Sequence, residues 1–263
     1  MAWVRRHLLT FAAMVTLFIL LLPNVVVALF SFNKPNGRYN YQWVRFSADA
    51  WANPCGTPGI CDSLGLSLRI GVTASVVATL LGTMVAFALG RFRFRGRATT
   101  NLLIFMPMAT PEVVMGSSLL TLFVAMGLST GALAILIAHI MFCVSFVVVA
   151  VKARVASLDP RLEEAAADLG ATPVATFMKV TLPLVAPGIA AGALLAFSLS
   201  FDDYIITNFN ASPSSITFPM YVWGAAQRGT PVQINVVGTV MFVLSVGIVL
   251  TAQLISRRRA QKA

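Results

Sequence analysis

Three carboxylates stand inside long apolar runs: Glu112, and the adjacent pair Asp202 and Asp203. A charge at the centre of a bilayer costs roughly 2.5–3.5 kcal/mol on insertion scales, so such groups are expected to face a bundle interior or a cavity. There they can hold a cation stripped of water, with Phe201, Tyr204, Tyr221 and Trp223 offering cation–π faces. Glu112 lies about ten residues into its run, or ~15 Å along a helix, close to mid-depth. Adjacent helical positions differ by about 100°, so at most one of Asp202 and Asp203 points straight into a central path. Each acid also has a structural reading. Asp203 ends its helix at the interface and pairs with Arg228, and Glu112, following Pro111, caps backbone groups at a helix start. Other chemistries lack their parts. His7 and His139 are the only histidines, there is no H-E-x-x-H, and no metal or triad cluster can be assembled. His139 reads as a hydrogen-bonded packing residue rather than a proton relay. No G-x4-G-K-[ST] sequence occurs, so nucleotide binding of that kind is excluded.

The elements that must position these acids are membrane helices. Of 263 residues, 58% are hydrophobic and 11% charged, whereas soluble domains carry about 25% charged residues. The length fits one domain, 1–263. A spanning helix needs about 20 apolar residues, and six runs qualify: 8–30, 70–89, 102–126, 133–151, 184–206 and 234–255. Pro107 and Pro111 interrupt the third. The first is too long for a signal-peptide core and lacks a clear cleavage site, so it is expected to remain as an anchor. The fold expected is all-α, with six transmembrane helices.

Lys and Arg set the orientation. With a cytoplasmic N-terminus, the inside holds 14 of the 19 basic residues: Arg5, Arg6, Arg91, Arg93, Arg95, Arg97, Lys152, Arg154, Arg161, Lys179, Arg257, Arg258, Arg259 and Lys262. The outside receives Lys34, Arg38, Arg45, Arg69 and Arg228. The positive-inside rule places both termini in the cytoplasm. The net charge of +10 therefore reads as topology, and nucleic acid is not an expected partner. Cys55 and Cys61 fall in the first outside loop, where an oxidising face permits a short disulfide; two free thiols in a mobile loop is the other reading. Cys143 is a small apolar filler within the fourth span.

The longest inside segment, 152–183, holds four of the nine acidic residues: Asp159, Glu163, Glu164 and Asp168. Asp159-Pro160 is a helix start, Gly170 a stop, and Thr172-Pro173 a second start for a short helix ending near Pro183. Within it, Glu164-Ala165-Ala166-x3-Gly170-x9-Val180-x-Leu182-Pro183 resembles the EAA loop of ABC importer permeases, with Val180 replacing Ile as the one departure. Met106-Pro107-Met108-Ala109-Thr110-Pro111-Glu112-Val113-Val114-Met115, Ala138-His139-Ile140-Met141-Phe142-Cys143 and Ser198-Leu199-Ser200-Phe201-Asp202-Asp203-Tyr204 are similar to segments of spermidine/putrescine-type permeases. The similarity runs from about residue 64 onward and leaves the first outside loop unmatched.

The resemblance implies a type I importer permease of the bacterial inner membrane, multi-pass in lipid. It implies a second, related permease, an ABC ATPase dimer carrying ATP and Mg, and an extracytoplasmic substrate-binding protein. This chain itself would bind no cofactor and no metal and would not be an enzyme. Glu163, Glu164, Ala165, Ala166, Gly170, Leu182 and Pro183 would form the ATPase-coupling loop. Glu164 would take a basic partner, the alanines would permit close packing, and Gly170 would allow the turn. Polyamines, with two or more ammoniums, would suit a path of Glu112, Asp202, Asp203, Tyr204 and Trp223. A permease for another small solute and an ion-coupled secondary transporter are the rival readings; the second lacks a convincing internal repeat and leaves the inside loop without a task.

Overall fold

The computed structural model describes residues 2–260, with side-chain detail for 7–248, 250 and 251. Of the orientation markers, Arg5, Arg6, Arg257, Arg258 and Arg259 fall outside that side-chain detail, and Lys262 lies outside the described residues. The described chain is helical, with a single isolated β-bridge between Asn33 and Phe46. Its helices are α1 (Ala2–Phe30), α2 (Asp49–Ala52), α3 (Ile60–Arg91), α4 (Arg97–Ala109), α5 (Glu112–Ala125) and α6 (Ala132–Ala156). They continue as α7 (Arg161–Asp168), α8 (Pro173–Thr176), α9 (Leu182–Asp202), α10 (Ile205–Asn210), α11 (Phe218–Arg228) and α12 (Val232–Ala260). A π-helical turn, Phe177–Thr181, joins α8 to α9.

Among the described residues, four segments are long and apolar enough to cross a membrane: 7–30 in α1, α3, α6, and the continuous 173–202. The pair α4 and α5 makes a fifth by length and composition, but it is bent by 109°. In α12, Val232–Ile248 is a shorter apolar helix.

The expected third span, 102–126, is therefore not one straight rod. Pro107 is carried within α4, and the break falls at Thr110-Pro111. Proline pushes the residue before it out of the helical region, and Thr110 is extended at φ −82°, ψ 131°. Met106 O still accepts from Thr110 N (3.0 Å) and Thr110 Oγ1 (2.7 Å), closing the end of α4. Counting depth along a single axis to Glu112 consequently fails.

The segment after Thr172 also differs from expectation. It does not end near Pro183 but runs on through the π turn into α9, where Leu182 N bonds to Phe177 O. A proline ring meets the carbonyl four residues back, here Lys179, inside the widened turn. The insertion lets the helix pass Pro183. The far end of this helix is Asp202, short of the predicted 206.

Two compact units divide the chain, one combining the residues up to Cys61 with those from Tyr221 onward, the other Asp62–Met220. In the first unit α1 lies along α12 and α2 contacts α12. Its loop is knitted by Phe32 stacking on Phe46 and Trp51 and by the Asn33 amide bonding to Asn40 and Gln42 O. Lys34 Nζ sits 2.6 Å from Asp49 Oδ2, and this hydrogen bond holds the Asp49 carboxyl below its usual range. Cys55 and Cys61 are disulfide-bonded, with Cα atoms 5.4 Å apart.

The second unit is built around α6, whose residues Ile135, Ala138, Cys143, Val147 and Val151 are wholly buried. The main packing is α6 on α9. Lipid supplies no hydrophobic drive between helices, so close approach of backbones at small residues matters. A Cβ added at Gly188 would lie 2.6 Å from Arg154 Cβ. Basic residues tie the same end of the unit. Lys152 Nζ donates to Asn101 Oδ1 (2.7 Å), joining α6 to α4, and Arg154 Nε donates to Leu184 O (2.9 Å).

Candidate functional site

The 152–183 segment forms a short, doubly capped helix. Asp159 Oδ1 accepts from Arg161 N (3.0 Å), satisfying a donor at the start of α7. Glu163 and Glu164 occupy the first turn, where the helix dipole favours negative charge. At the other end Ala171 N bonds to Ala166 O and Gly170 N to Ala167 O, the paired pattern of a Schellman cap. Gly170 has φ +80° there, a left-handed conformation that side chains disfavour. Thr172 Oγ1 then accepts from Ala175 N (3.3 Å), with Pro173 opening α8.

The two neighbouring glutamates face different surroundings. Glu163 is half-buried and bound on both oxygens: Arg91 Nη1 donates to Oε2 (2.8 Å), Arg91 Nη2 to Oε1 (2.6 Å) and Thr181 Oγ1 to Oε1 (2.5 Å). Glu164 and Ala165 are exposed, Ala166 is half-buried, and Leu169 at the helix end is 90% exposed. The outer face of α7 therefore presents a carboxylate beside small side chains. Leu182, half-buried, and Pro183, exposed, open α9. Behind α7 lies a cavity of about 910 Å³, lined by Met84, Phe87, Phe92, Pro173 and Phe177 with the Arg91–Glu163 pair at its wall. Phe87 and Phe177 meet edge to face at 5.3 Å.

The acids of the second unit also divide their work. Asp203 is buried at the corner between α9 and α10. Its Oδ2 accepts from Thr207 N (2.7 Å) and Thr207 Oγ1 (2.8 Å), and its Oδ1 from Ile206 N (3.3 Å), so it caps the first turn of α10. His139 of α6, also buried, reaches the same corner: Nε2 lies 3.0 Å from Thr207 Oγ1 and 3.3 Å from Asp203 Oδ2, and Nδ1 lies 2.7 Å from Ser200 Oγ. With the ring proton on Nε2, Ser200 donates to Nδ1 and every group in the cluster is satisfied. Asp202, one position on, is exposed, as is Glu112 at the first position of α5. Glu112 is the acid in the first turn of α5, directly after its N-cap Pro111. α5, which Glu112 opens, packs on α10, the helix that follows this corner. Tyr204, half-buried, follows Asp203, while Trp223, 56% exposed, belongs to the other compact unit.

Several residues of these clusters were not singled out by sequence reasoning. In the sequence Arg91 reads only as an orientation marker and Ser200 only as part of a permease-like stretch, while Thr181 and Thr207 carry no reading. For Arg91 a signal exists, a single cation at the last turn of a long apolar run facing a loop rich in carboxylates. The hydroxyl contacts to His139 and Glu163 span 18 to 68 residues of sequence and carry no local pattern; the Thr207 hydroxyl on Asp203, four residues away, is the one local contact among them.

Known proteins agree with this architecture. Residues 78–261 match the family described as binding-protein-dependent transport system inner membrane component. The chain is 35% identical over 242 residues to the spermidine/putrescine transport system permease protein PotC of Escherichia coli strain K12, covering 92% of this chain and 91% of that one. It is 38% identical over 234 residues to the putrescine transport system permease protein PotI of the same strain, covering 86% and 82%. Among solved structures, a chain of the bacterial alginate ABC transporter complexed with a pentasaccharide-bound periplasmic protein superposes with a TM-score of 0.68 at 16% identity, over 97% and 96% of the two chains. A chain of the MetNI methionine ABC transporter gives 0.59 at 16% identity, over 76% and 95%. These two share the fold. A capped loop helix, an all-helical apolar scaffold and a match over most of the sequence lead to one assignment: the chain belongs to the binding-protein-dependent transport system inner membrane component family.

Proposed function

We propose that this chain is the membrane permease subunit of an ATP-driven importer for spermidine, putrescine or a similar small cationic solute. The observation that carries the reading is the outward face of α7. Glu164 and Ala165 stand exposed on a short, doubly capped helix, in a sequence with the spacing of a coupling loop. The whole chain serves as one permease with six spans, α4 and α5 together forming the third. Both termini and the 152–183 loop are cytoplasmic, in a bacterial inner membrane. Its partners are a second related permease, an ATPase dimer that binds ATP and Mg, and an extracytoplasmic binding protein. The chain itself holds no cofactor and no metal.

In this mechanism, closure of the ATPase pair on ATP displaces α7, whose Glu164 engages a basic group of the ATPase. The spans move from inward-open to outward-open, the binding protein delivers the solute, and hydrolysis resets the state. ATP must favour one of the two states for this to work. Along the path, Glu112 and Asp202 are the acids that meet the ammoniums, because both are exposed whereas Asp203 is buried. Asp203 holds the corner behind them, and Tyr204 supplies an aromatic face.

Affinity purification of the tagged chain from gently solubilised native membranes, followed by mass spectrometry, tests the assembly. Recovery of an ATPase, a second permease and a binding protein is the expected result. Reproducible isolation without an ATPase would overturn it.

A further inference from the structure

We propose that Glu163 is a positioning residue which, through Arg91 and Thr181, locks the coupling helix to the ends of α3 and α9, so that displacement of α7 moves both helices together. The inference rests on the importer reading for its motion, but the lock itself is a matter of geometry. No residue of α7 is buried, so apolar packing does not hold this helix against the bundle. A cavity of about 910 Å³ lies behind it instead. The tie is polar. Arg91 is the last residue of α3, and its guanidinium forks onto both Glu163 oxygens at 2.8 and 2.6 Å. Thr181, buried at the end of the π turn that leads into α9, donates to the same carboxylate. One side chain thus joins three elements. The pair is only 25% and 32% exposed, and bidentate charged bonds are the strong, directional ones. Glu164, next in sequence, stays free to face outward, so adjacent glutamates split into an inner anchor and an outer contact.

The test uses the full complex in vesicles, with Glu163→Gln, Arg91→Gln and the reversed pair Arg91→Glu with Glu163→Arg. Two quantities are read: spermidine taken up per ATP hydrolysed, and amide hydrogen exchange of residues 161–169 against 135–151. Each single variant should lower uptake per ATP by about tenfold and raise α7 exchange by a similar factor, while the reversed pair restores both to within about threefold. Unchanged exchange in the single variants would overturn the lock. Raised exchange with unchanged uptake per ATP would overturn its role in coupling. If a single variant does not assemble, the reversed pair decides: restored assembly supports the lock, and failure to restore it counts against it. Wild-type vesicles that take up no spermidine with ATP would sink the importer reading alone, since exchange in the same chain still judges the lock.

Discussion

At the scale of single residues, the carboxylates separate by exposure, and so should the consequences of removing them. Glu164 is exposed, so Glu164→Ala should change the stability of the chain by no more than about 0.5 kcal/mol yet weaken recovery of the ATPase in co-purification. Asp203 differs. Its carboxylate satisfies Ile206 N, Thr207 and His139 in a buried corner. Asp203→Ala orphans these groups and should cost about 1–3 kcal/mol, read as a lower unfolding midpoint of the purified chain. Asp202→Asn and Glu112→Gln should leave that midpoint unchanged and slow uptake with assembly intact. Normal uptake in both would remove the acidic constriction. The adjacency of Asp202 and Asp203 already tells the sequence reader that one faces away from the path. Which one does so depends on Thr207, four residues on, and on His139, which only folding brings there and which no local pattern reports.

At the scale of elements, local rules were legible and tertiary ones were not. The caps of α7 follow from Asp159-Pro160 and Gly170, and that of α8 from Thr172-Pro173, each a short-range stereochemical signal. Pro111 likewise marks a break, but not its size: a bend of 109° depends on what α4 and α5 pack against. The π turn before Pro183 has no signature in the sequence, which is why a helix end was expected there. Close packing of α9 on α6 also emerges only in three dimensions. Gly188→Val would drive a side chain into Arg154, and overpacking of this kind costs about 1–3 kcal/mol. By contrast, Gly65 of α3 has open space around it, and Gly65→Ala should be neutral or stabilise by up to about 1 kcal/mol. Thermal unfolding of the two variants side by side checks both; equal midpoints would contradict the α6–α9 contact.

At the scale of the whole molecule, the apolar composition and the placement of Lys and Arg carry the membrane reading, and the similarity to polyamine permeases carries the substrate. Topology is open to direct test. Single cysteines at Glu164 and at Arg38, introduced where the native thiols are replaced, should label from opposite sides of sealed vesicles, Glu164 from the cytoplasmic one. Labelling of both from one side would refute the orientation. The central claim is ATP-driven import of a polyamine, and the most direct measurement is uptake of radiolabelled spermidine and putrescine by vesicles containing the purified complex and its binding protein. Uptake that requires ATP and the binding protein, and that drops about tenfold in Glu164→Ala, is the result predicted. Uptake that proceeds without ATP on an ion gradient, or no uptake of either polyamine by an ATP-hydrolysing complex, would contradict it.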